Sequence, residues 1–492
     1  MALLGIDLGT SSVKVIVLDT HGHTLSVSKA GYAATAPQPG WSESDPYEWW
    51  SATVAAVQTA LAQAPQAEIT AVGLSGQMHG VTLVNEEGLP VRAAMLWADM
   101  RAQAELERYR ILPASQVERL ANPLVPGMAG PMLCWLADHE APIYQKARWA
   151  LQPKDWLRYR LTGEVATDPS DASATLLYDL RADSWADDVI AALGLKRSLF
   201  PTIIPSAAIA GRLSTQTAEA LGLPAWLPVA TGAADTAAAA LGTGLLVPGP
   251  IQLTLGTGAQ FMQLCAEPVV DQTRRTHLYR AADGANWYTM AAVQNAGLAL
   301  DWVRHMLNAT WEDVYASAAT ISPGADDLLF LPYLTKERPH HPVPPSNGAF
   351  LGLRIDHQRE HLLRAALEGV AFGLRVALEA LPATSEAATT LRLAGGGSEH
   401  PAWRQMLADI LNRELLTVDT PAASVRGAAL LGSIASGTWA SAQGTASIAP
   451  RTSLVAIPDA GRVAIYNSVY ARHLAYSQRE STREVSITFG VN

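Results

Sequence analysis

Cysteine is nearly missing. Two residues in 492, Cys134 and Cys265, stand far apart, with no CxxC pair and no His at ligand spacing. That excludes a disulfide framework and a thiolate zinc site, and is what two buried thiols in a reducing compartment look like. Charge is sparse as well: 16% of residues are charged, and Lys+Arg 35 against Asp+Glu 45 leaves a net charge of −10 with no dense basic block. A binder of a phosphate backbone needs a basic stripe, so nucleic acid is not an expected partner. A long apolar span is also lacking. Residues 236–266 carry no charged side chain, but Gly242, Gly244, Gly249, Gly256 and Gly258 together with Pro248 and Pro250 cut them into pieces that read as helix, turn and strand of a core. The start, MALLGIDLGT, has no basic region, and Asp7 interrupts its apolar run, so neither a signal peptide nor a membrane partner is expected and the location expected is the cytoplasm.

What is present is core material. Hydrophobic residues make up 49% of the chain, too many for a disordered one. At about 150 residues per domain the length allows about three domains, or two large ones. An internal echo favours two: LLGIDLGTSSVKVIVL (3–18) and PIQLTLGTGAQFMQL (250–264) are each an apolar strand, then Leu-Gly-Thr, then a second strand, and the two triplets lie 247 positions apart, half the chain. Each half continues with alternating helix and strand patterns. DPYEWWSATVAAVQTALAQ (45–63) is a helix opened by Asp before Pro, and ITAVGLSG (69–76) a buried strand. REHLLRAALEGVAFGLRVALEAL (359–381) is a long helix followed by the strand LRLAG (391–395), and 107–225 adds helical insertions. The expected fold class is mixed α/β.

With a net charge of −10, an anionic ligand must be held locally, by backbone N–H groups, a metal ion or a few side chains. The hairpin GIDLGTSSVK (5–14) offers such a place: Gly9 lets the backbone come close, Thr10, Ser11 and Ser12 can donate to phosphate oxygens, and Asp7 can hold Mg²⁺ directly or through water. TLGTG (254–258) repeats the turn without the Asp, and AGGGSEHPAWRQMLADIL (394–411) adds a glycine cluster ahead of an amphipathic helix. Two phosphate-touching turns and one metal carboxylate suit a nucleotide held between two domains. Other features carry no chemistry: His340-His341 lie in a Pro-rich loop without carboxylates or Cys, so no metal is expected there, and Trp49, Trp50 and Trp302 sit on helix patterns as expected core residues.

Taken in order, GIDLGTSSVKV (5–15), LSGQMHG (74–80), LWADMR (96–101), PKDWLRYRLTGE (153–164), GAFLGLRIDHQREHLLRAALEG (348–369) and AGGGSEHPAWRQMLADI (394–410) resemble the FGGY carbohydrate kinases, in the actin-like ATPase superfamily, and within them the xylulokinase branch. The resemblance implies two actin-like (ribonuclease H-like) domains with a nucleotide cleft between them: 1–245 on the sugar side, with insertions, and 246–478 on the nucleotide side, followed by a polar tail at 479–492. It implies ATP with Mg²⁺ and a small sugar as ligands, and is compatible with a homodimer. By similarity Asp7 lies near metal and phosphates, Thr10, Ser11 and Ser12 on the first phosphate loop, Gly256 and Thr257 on the second, and Gly297, Gly396 and Gly397 against the nucleotide. Asp235, in VATGAADTAAAALG (229–242), is the residue that takes the proton of the attacking hydroxyl; read alone it is an ordinary helix N-cap. Gln77, Met78 and His79 resemble the sugar loop, and Trp97, Asp99 and Arg101 the W-x-D-x-R stretch that lines the sugar pocket.

One departure affects the substrate. Xylulokinases typically carry Asp-Asn where this chain has Asp235-Thr236, and Thr offers one hydroxyl where Asn offers a donor and an acceptor. The expected reaction is therefore transfer of the ATP γ-phosphate to a ketopentose, xylulose first, with ribulose or a pentitol as the alternative. An actin- or chaperone-like ATP switch is a reading of another class, and it has no need for the 77–80 loop together with Asp235.

Overall fold

The computed structural model describes residues 1–335, 347–382, 389–420 and 422–488; His340 and His341 fall outside them. Strands β1 (Ala2–Leu8), β2 (Ser12–Asp19) and β3 (Thr24–Gly31) lead to helix α1 (Pro46–Gln63) and strand β4 (Ile69–Gly76). Short helices and two-stranded ribbons follow, among them α2 (Pro153–Thr162), then β5 (Ile209–Arg212), β6 (Pro228–Ala230), β7 (Ala233–Ala234) and α3 (Asp235–Gly242). The second half holds β8 (Ile251–Leu255), β9 (Ala259–Cys265), β10 (His277–Arg280), β11 (Trp287–Val293), α4 (Gly297–Met306), α5 (Arg359–Ala380) and β12 (Thr390–Ala394). After these come α6 (Pro401–Leu411), β13 (Glu414–Val418), α7 (Ala423–Ala435), β14 (Thr452–Ala456) and α8 (Ala460–Thr488).

The echo in the sequence is an echo in topology. The first sheet runs β5-β6-β4-β1-β2-β3, with β7 also on β4, and the second runs β10-β11-β9-β8-β12-β13-β14. In each, the opening strand pairs antiparallel with the strand after the Leu-Gly-Thr turn and parallel with one that returns through a helical crossover: β1 with β2 and β4, β8 with β9 and β12. The central strands are covered on both faces, which is why they read as near-continuous apolar runs. Leu4, Ile6 and Leu8 pack with Trp49 and Val57 of α1, while Leu3 packs with Val425 and Ala429 of α7.

Several local expectations hold for reasons visible in the chain. Asp45 caps α1, its side chain accepting from Tyr47 N, with Pro46 in the first turn, where its missing N–H has no bond to lose. Residues 236–266 form a helix and two strands, and no described helix is long and apolar enough to cross a membrane. Trp49 is fully buried, but Trp302 is 45% exposed on α4, so its helical spacing does not make it core. The stretch from 479, expected as a polar tail, continues α8 to Thr488.

Helix α7 ties the halves together. It comes from the second half of the sequence, yet its backbone lies directly on the first sheet: a Cβ on Gly5 would sit 2.3 Å from Val425 O, and one on Gly73 1.7 Å from Ala428 O. It crosses α3 just as closely, Gly427 against Ala238 O and Gly242 against Ala423 O, at 1.8 and 1.9 Å for the same test atom. Only glycine permits this backbone contact, and α3 and α7 are thereby held at the base of the cleft.

Candidate active site

The loop between β1 and β2 is closed by Gly9 N donating to Ser12 O at 3.0 Å and is pinned from β3's end, where Tyr32 N donates to Ser11 O and the Tyr32 hydroxyl to Gly9 O. Asp7, 5% exposed at the end of β1, has its carboxylate set by two hydroxyls: Ser75 Oγ on β4 donates to Oδ1 at 2.8 Å and Ser424 Oγ on α7 donates to Oδ2 at 2.7 Å. Each oxygen keeps a further lone pair. Lys14 is the cross-strand partner of Asp7, so both rise from the same face of the hairpin. Ser12 is buried, Ser11 is exposed, and Thr10 Oγ1 accepts from Trp97 Nε1 at 3.0 Å.

On the opposite side three glycine segments converge on Leu255–Thr257. The β8–β9 turn is closed by Gly256 N donating to Gly258 O at 2.8 Å, and Leu298 N at the start of α4 donates to Thr257 O at 2.8 Å. A Cβ on Gly297 would lie 2.3 Å from Gly256 O, and Gly395, at φ +85°, leaves 2.4 Å to Leu255 O. Side chains are excluded there, so backbone forms the wall. A cavity of about 750 Å³ runs between the halves, lined by Lys14, Met78, His79, Trp97, Asp235 and Thr236 on one side and by Thr254–Gln260, His277, Met290, Gly395 and Gly396 on the other. A second cavity of about 450 Å³ shares Leu255–Thr257 and Gly396 and adds Gly297, Gly397, Asp301, Trp311, Tyr315 and Trp403. The glycine cluster, and not the start of the helix at Pro401, therefore meets both cavities.

Asp235 is the first residue of α3; the cap position is Ala234. Its Oδ1 accepts from Thr236 N at 2.6 Å and from Thr236 Oγ1 at 3.2 Å. Burial at the base of the cleft pushes its carboxyl up to about 7, the charge of Asp7 adds to the rise, and the bonds from Thr236 oppose it. A carboxylate with its pKa near neutrality, facing a cavity that also holds two glycine turns, can accept a proton from a hydroxyl there. Thr236 Oγ1 also lies 3.4 Å from Gln260 Oε1 on β9, so its hydroxyl reaches toward the other wall.

The loop after β4 begins with Gln77 N donating to Leu8 O at 2.8 Å. The Gln77 side chain is buried, and among the described residues neither of its amide atoms has a hydrogen-bond partner. His79 adopts φ +71°, a left-handed conformation that costs a non-glycine residue about 1 kcal/mol. Its Nδ1 lies 2.7 Å from Ala174 O, so Nδ1 carries the proton and the ring orientation is set. Met78 and His79 line the cavity, as does Trp97.

Asp99 and Arg101 do not join them. Asp99 accepts from Ser42 N at 2.7 Å and from Arg101 N, Nε and Nη2 at 3.0, 2.9 and 2.7 Å, while Arg101 also binds Glu43 and stacks 3.4 Å over the Trp41 ring. The pair folds the segment behind Trp97, and all its acceptors are taken up within the protein; neither residue lines either cavity. Of the W-x-D-x-R stretch, Trp97 is the residue that lines the cavity. Residues that sequence reasoning missed are Lys14, legible from the hairpin register opposite Asp7, and Ser75, Ser424, Gln260, His277, Asp301, Trp311 and Tyr315, whose roles depend on contacts between remote segments. Among the described residues no group of three or more His, Cys, Asp or Glu could hold a metal.

Residues 2–242 match the N-terminal domain, and residues 251–436 the C-terminal domain, of the FGGY family of carbohydrate kinases. The xylulose kinase of Escherichia coli K12 is 35% identical over 414 residues, 84% of this chain and 85% of that one. A gluconokinase of Bacillus subtilis is 28% identical over 450 residues, 88% of each. A crystal structure from Brucella ovis, described as a xyloylose kinase, superposes with a TM-score of 0.89 at 33% identity, covering 97% of this chain and 99% of that one.

Proposed function

The chain belongs to the FGGY family of carbohydrate kinases, and from that premise we propose that it transfers the γ-phosphate of MgATP to the terminal hydroxyl of a ketopentose, D-xylulose to D-xylulose 5-phosphate. The observation that carries the reading is the placement of Asp235 on one cavity with the Gly256–Gly258 turn and the Met78-His79 loop. Phosphoryl transfer asks a protein mainly for positioning and charge neutralisation, plus an acceptor for the hydroxyl proton. The sugar sits against Met78, His79 and Trp97 with its C5 hydroxyl at Asp235. The O–H bond gives its proton to the carboxylate as the oxygen attacks the γ-phosphorus, and the bond to the β-bridging oxygen breaks, releasing ADP.

The nucleotide end follows from the second cavity, whose Gly297, Gly396 and Gly397 permit close approach and whose Trp311 and Tyr315 offer flat faces to a base. Thr10, Ser11 and Ser12 on one side and Gly256 and Thr257 on the other flank the phosphates. Mg²⁺ would arrive with the triphosphate: a single carboxylate, Asp7, aligned by two hydroxyls, suits an ion that takes most of its ligands from phosphate and water. Bound there it neutralises charge on the transferring group.

Coupled ADP release across xylulose, ribulose, pentitols, glycerol and gluconate at equal concentration tests the assignment. Xylulose is expected to give the highest kcat/KM. Gluconate is the second reading, supported by the gluconokinase relative. Preference for gluconate or a pentitol overturns the xylulose assignment, and ATP turnover indifferent to every polyol overturns the kinase mechanism.

A further inference from the structure

Besides the pairing of β7 with β4 and Thr231 N donating to Ala208 O at 2.9 Å, the four residues ahead of Asp235 are held at three further backbone points. Thr231 O accepts from Arg158 Nη1 at 2.9 Å, Gly232 N donates to Ser206 O at 3.0 Å, and Ala234 N donates to Ser170 Oγ at 2.9 Å. Behind those contacts lies a set of charges wholly removed from water. Lys154 Nζ is 2.6 Å from Asp155 Oδ1, 3.0 Å from Asp168 Oδ1 and 3.1 Å from Asp171 Oδ2, and all four side chains are 0% exposed. Arg158 Nη1 adds a contact to Asp155 Oδ1 at 2.7 Å. Asp168 Oδ2 in turn accepts from Ser170 Oγ at 2.5 Å and from Ser206 Oγ at 2.7 Å. Glycine at 76 and 232 makes room for the lysine stem, since a Cβ at either would lie 2.9 and 3.0 Å from it.

Burying charges at such density is expensive, and apolar residues of similar volume would serve stability as well or better. The cluster instead points one way. Because the Ser170 hydroxyl gives its hydrogen to Asp168, its lone pair is left to receive Ala234 N–H, and that residue is the cap of the helix that starts with Asp235. Burial, reinforced by the neighbouring Asp168 and Asp155, holds Asp171 well above the usual carboxylate range. We propose that the Lys154–Asp168–Ser170 chain is a positioning device for the Asp235 carboxylate, fixing the direction in which it leaves the loop. The inference rests on Asp235 being the proton acceptor.

Ser170→Ala and Ser206→Ala separate positioning from structure. Each removes one hydroxyl from Asp168 Oδ2, but only the Ser170 side chain touches the loop before Asp235. The expected result is a similar fall in Tm for both, with kcat of Ser170→Ala lowered 10-fold or more at unchanged KM for ATP and sugar, and kcat of Ser206→Ala lowered less than 3-fold. Ser170→Cys, which keeps a weak acceptor in place, is expected to recover part of the lost kcat. If Ser170→Ala does not fold, Ser170→Cys against Ser206→Cys reads the same difference. Equal losses in the two positions, or a Ser170 loss that appears in KM, overturn the proposal. Asp235→Asn assayed in parallel distinguishes the cases: if it keeps turnover, the proton-acceptor reading has failed; if it is inactive while the two serines behave alike, only the positioning device has failed.

Discussion

Asp235→Asn should gain stability where it loses activity. The amide preserves the side chain's shape and the oxygen that accepts from Thr236 N and Oγ1, and removes both the charge and the basic site. In the folded chain burial first, and Asp7 second, push the carboxyl up to about 7, against about 3.9 in an unfolded chain. A gap of about three pK units at about 1.4 kcal/mol each is roughly 4 kcal/mol. Asp235 is only partly buried and lines the cavity, and screening brings this to about 2 kcal/mol. Since the folded-state pKa is the higher one, the folded chain binds more protons between about pH 4 and pH 7, and stability falls as pH rises through that window. The penalty is complete above about pH 7, and the Asn variant does not incur it. Thermal unfolding of both proteins from pH 4.5 to 8.5 should show their Tm values close at the acid end and the Asn variant ahead by about 4–8 °C at the alkaline end, at about 2–4 °C per kcal/mol for a unit of some 250 residues. Sugar-dependent ADP release should fall about 10³-fold with the loss of the proton acceptor, and wild-type kcat/KM should rise with pH through an inflection near 7. Parallel Tm curves would refute the perturbed carboxyl, and turnover above a tenth of wild type would refute its role.

Two glycine substitutions probe the frame around that residue. Gly427→Ala places a methyl 1.8 Å from Ala238 O where α7 crosses α3, and the forced separation should cost about 1–3 kcal/mol of stability; a Tm indistinguishable from wild type would show that the crossing yields. Gly297→Ala places one 2.3 Å from Gly256 O and should raise KM for ATP about 10-fold while leaving KM for the sugar unchanged, since it displaces the turn on the wall opposite Met78, His79 and Trp97; an unchanged KM for ATP in steady-state kinetics would remove Gly297 from the nucleotide site.

The fold was legible wherever the physics was local or repeated. The Leu-Gly-Thr echo at 8–10 and 255–257 corresponds to equivalent hairpins at the centres of two sheets of matching order. Asp45-Pro46 marked a helix start because cap and first turn are decided within a few residues. Helical spacing misled at Trp302, since a 3.6-residue period says that a face exists but not that something covers it. The stretch after 479 was legible only as polar: α8 continues to Thr488 without the apolar periodicity that would have announced it.

The site was legible as motifs and illegible as a constellation. Met78, His79, Trp97, Asp235 and the glycine turns could be named from short strings and meet at one cleft, because each string ends a buried strand or starts a helix at the same edge of its sheet. The string containing Trp97 also contains Asp99 and Arg101, and nothing in its spacing tells a ligand-facing residue from the ion pair that folds the loop behind it. The partners that give the carboxylates their properties come from far along the chain. Ser424 reaches Asp7 across 417 positions and Ser170 reaches Ala234 across 64, and both are small, common residues that no local pattern singles out. Asp235 reads alone as a helix cap. What distinguishes it is the buried neighbourhood that raises its pKa and the charge chain that aims its loop, and neither exists until strands remote in sequence have paired.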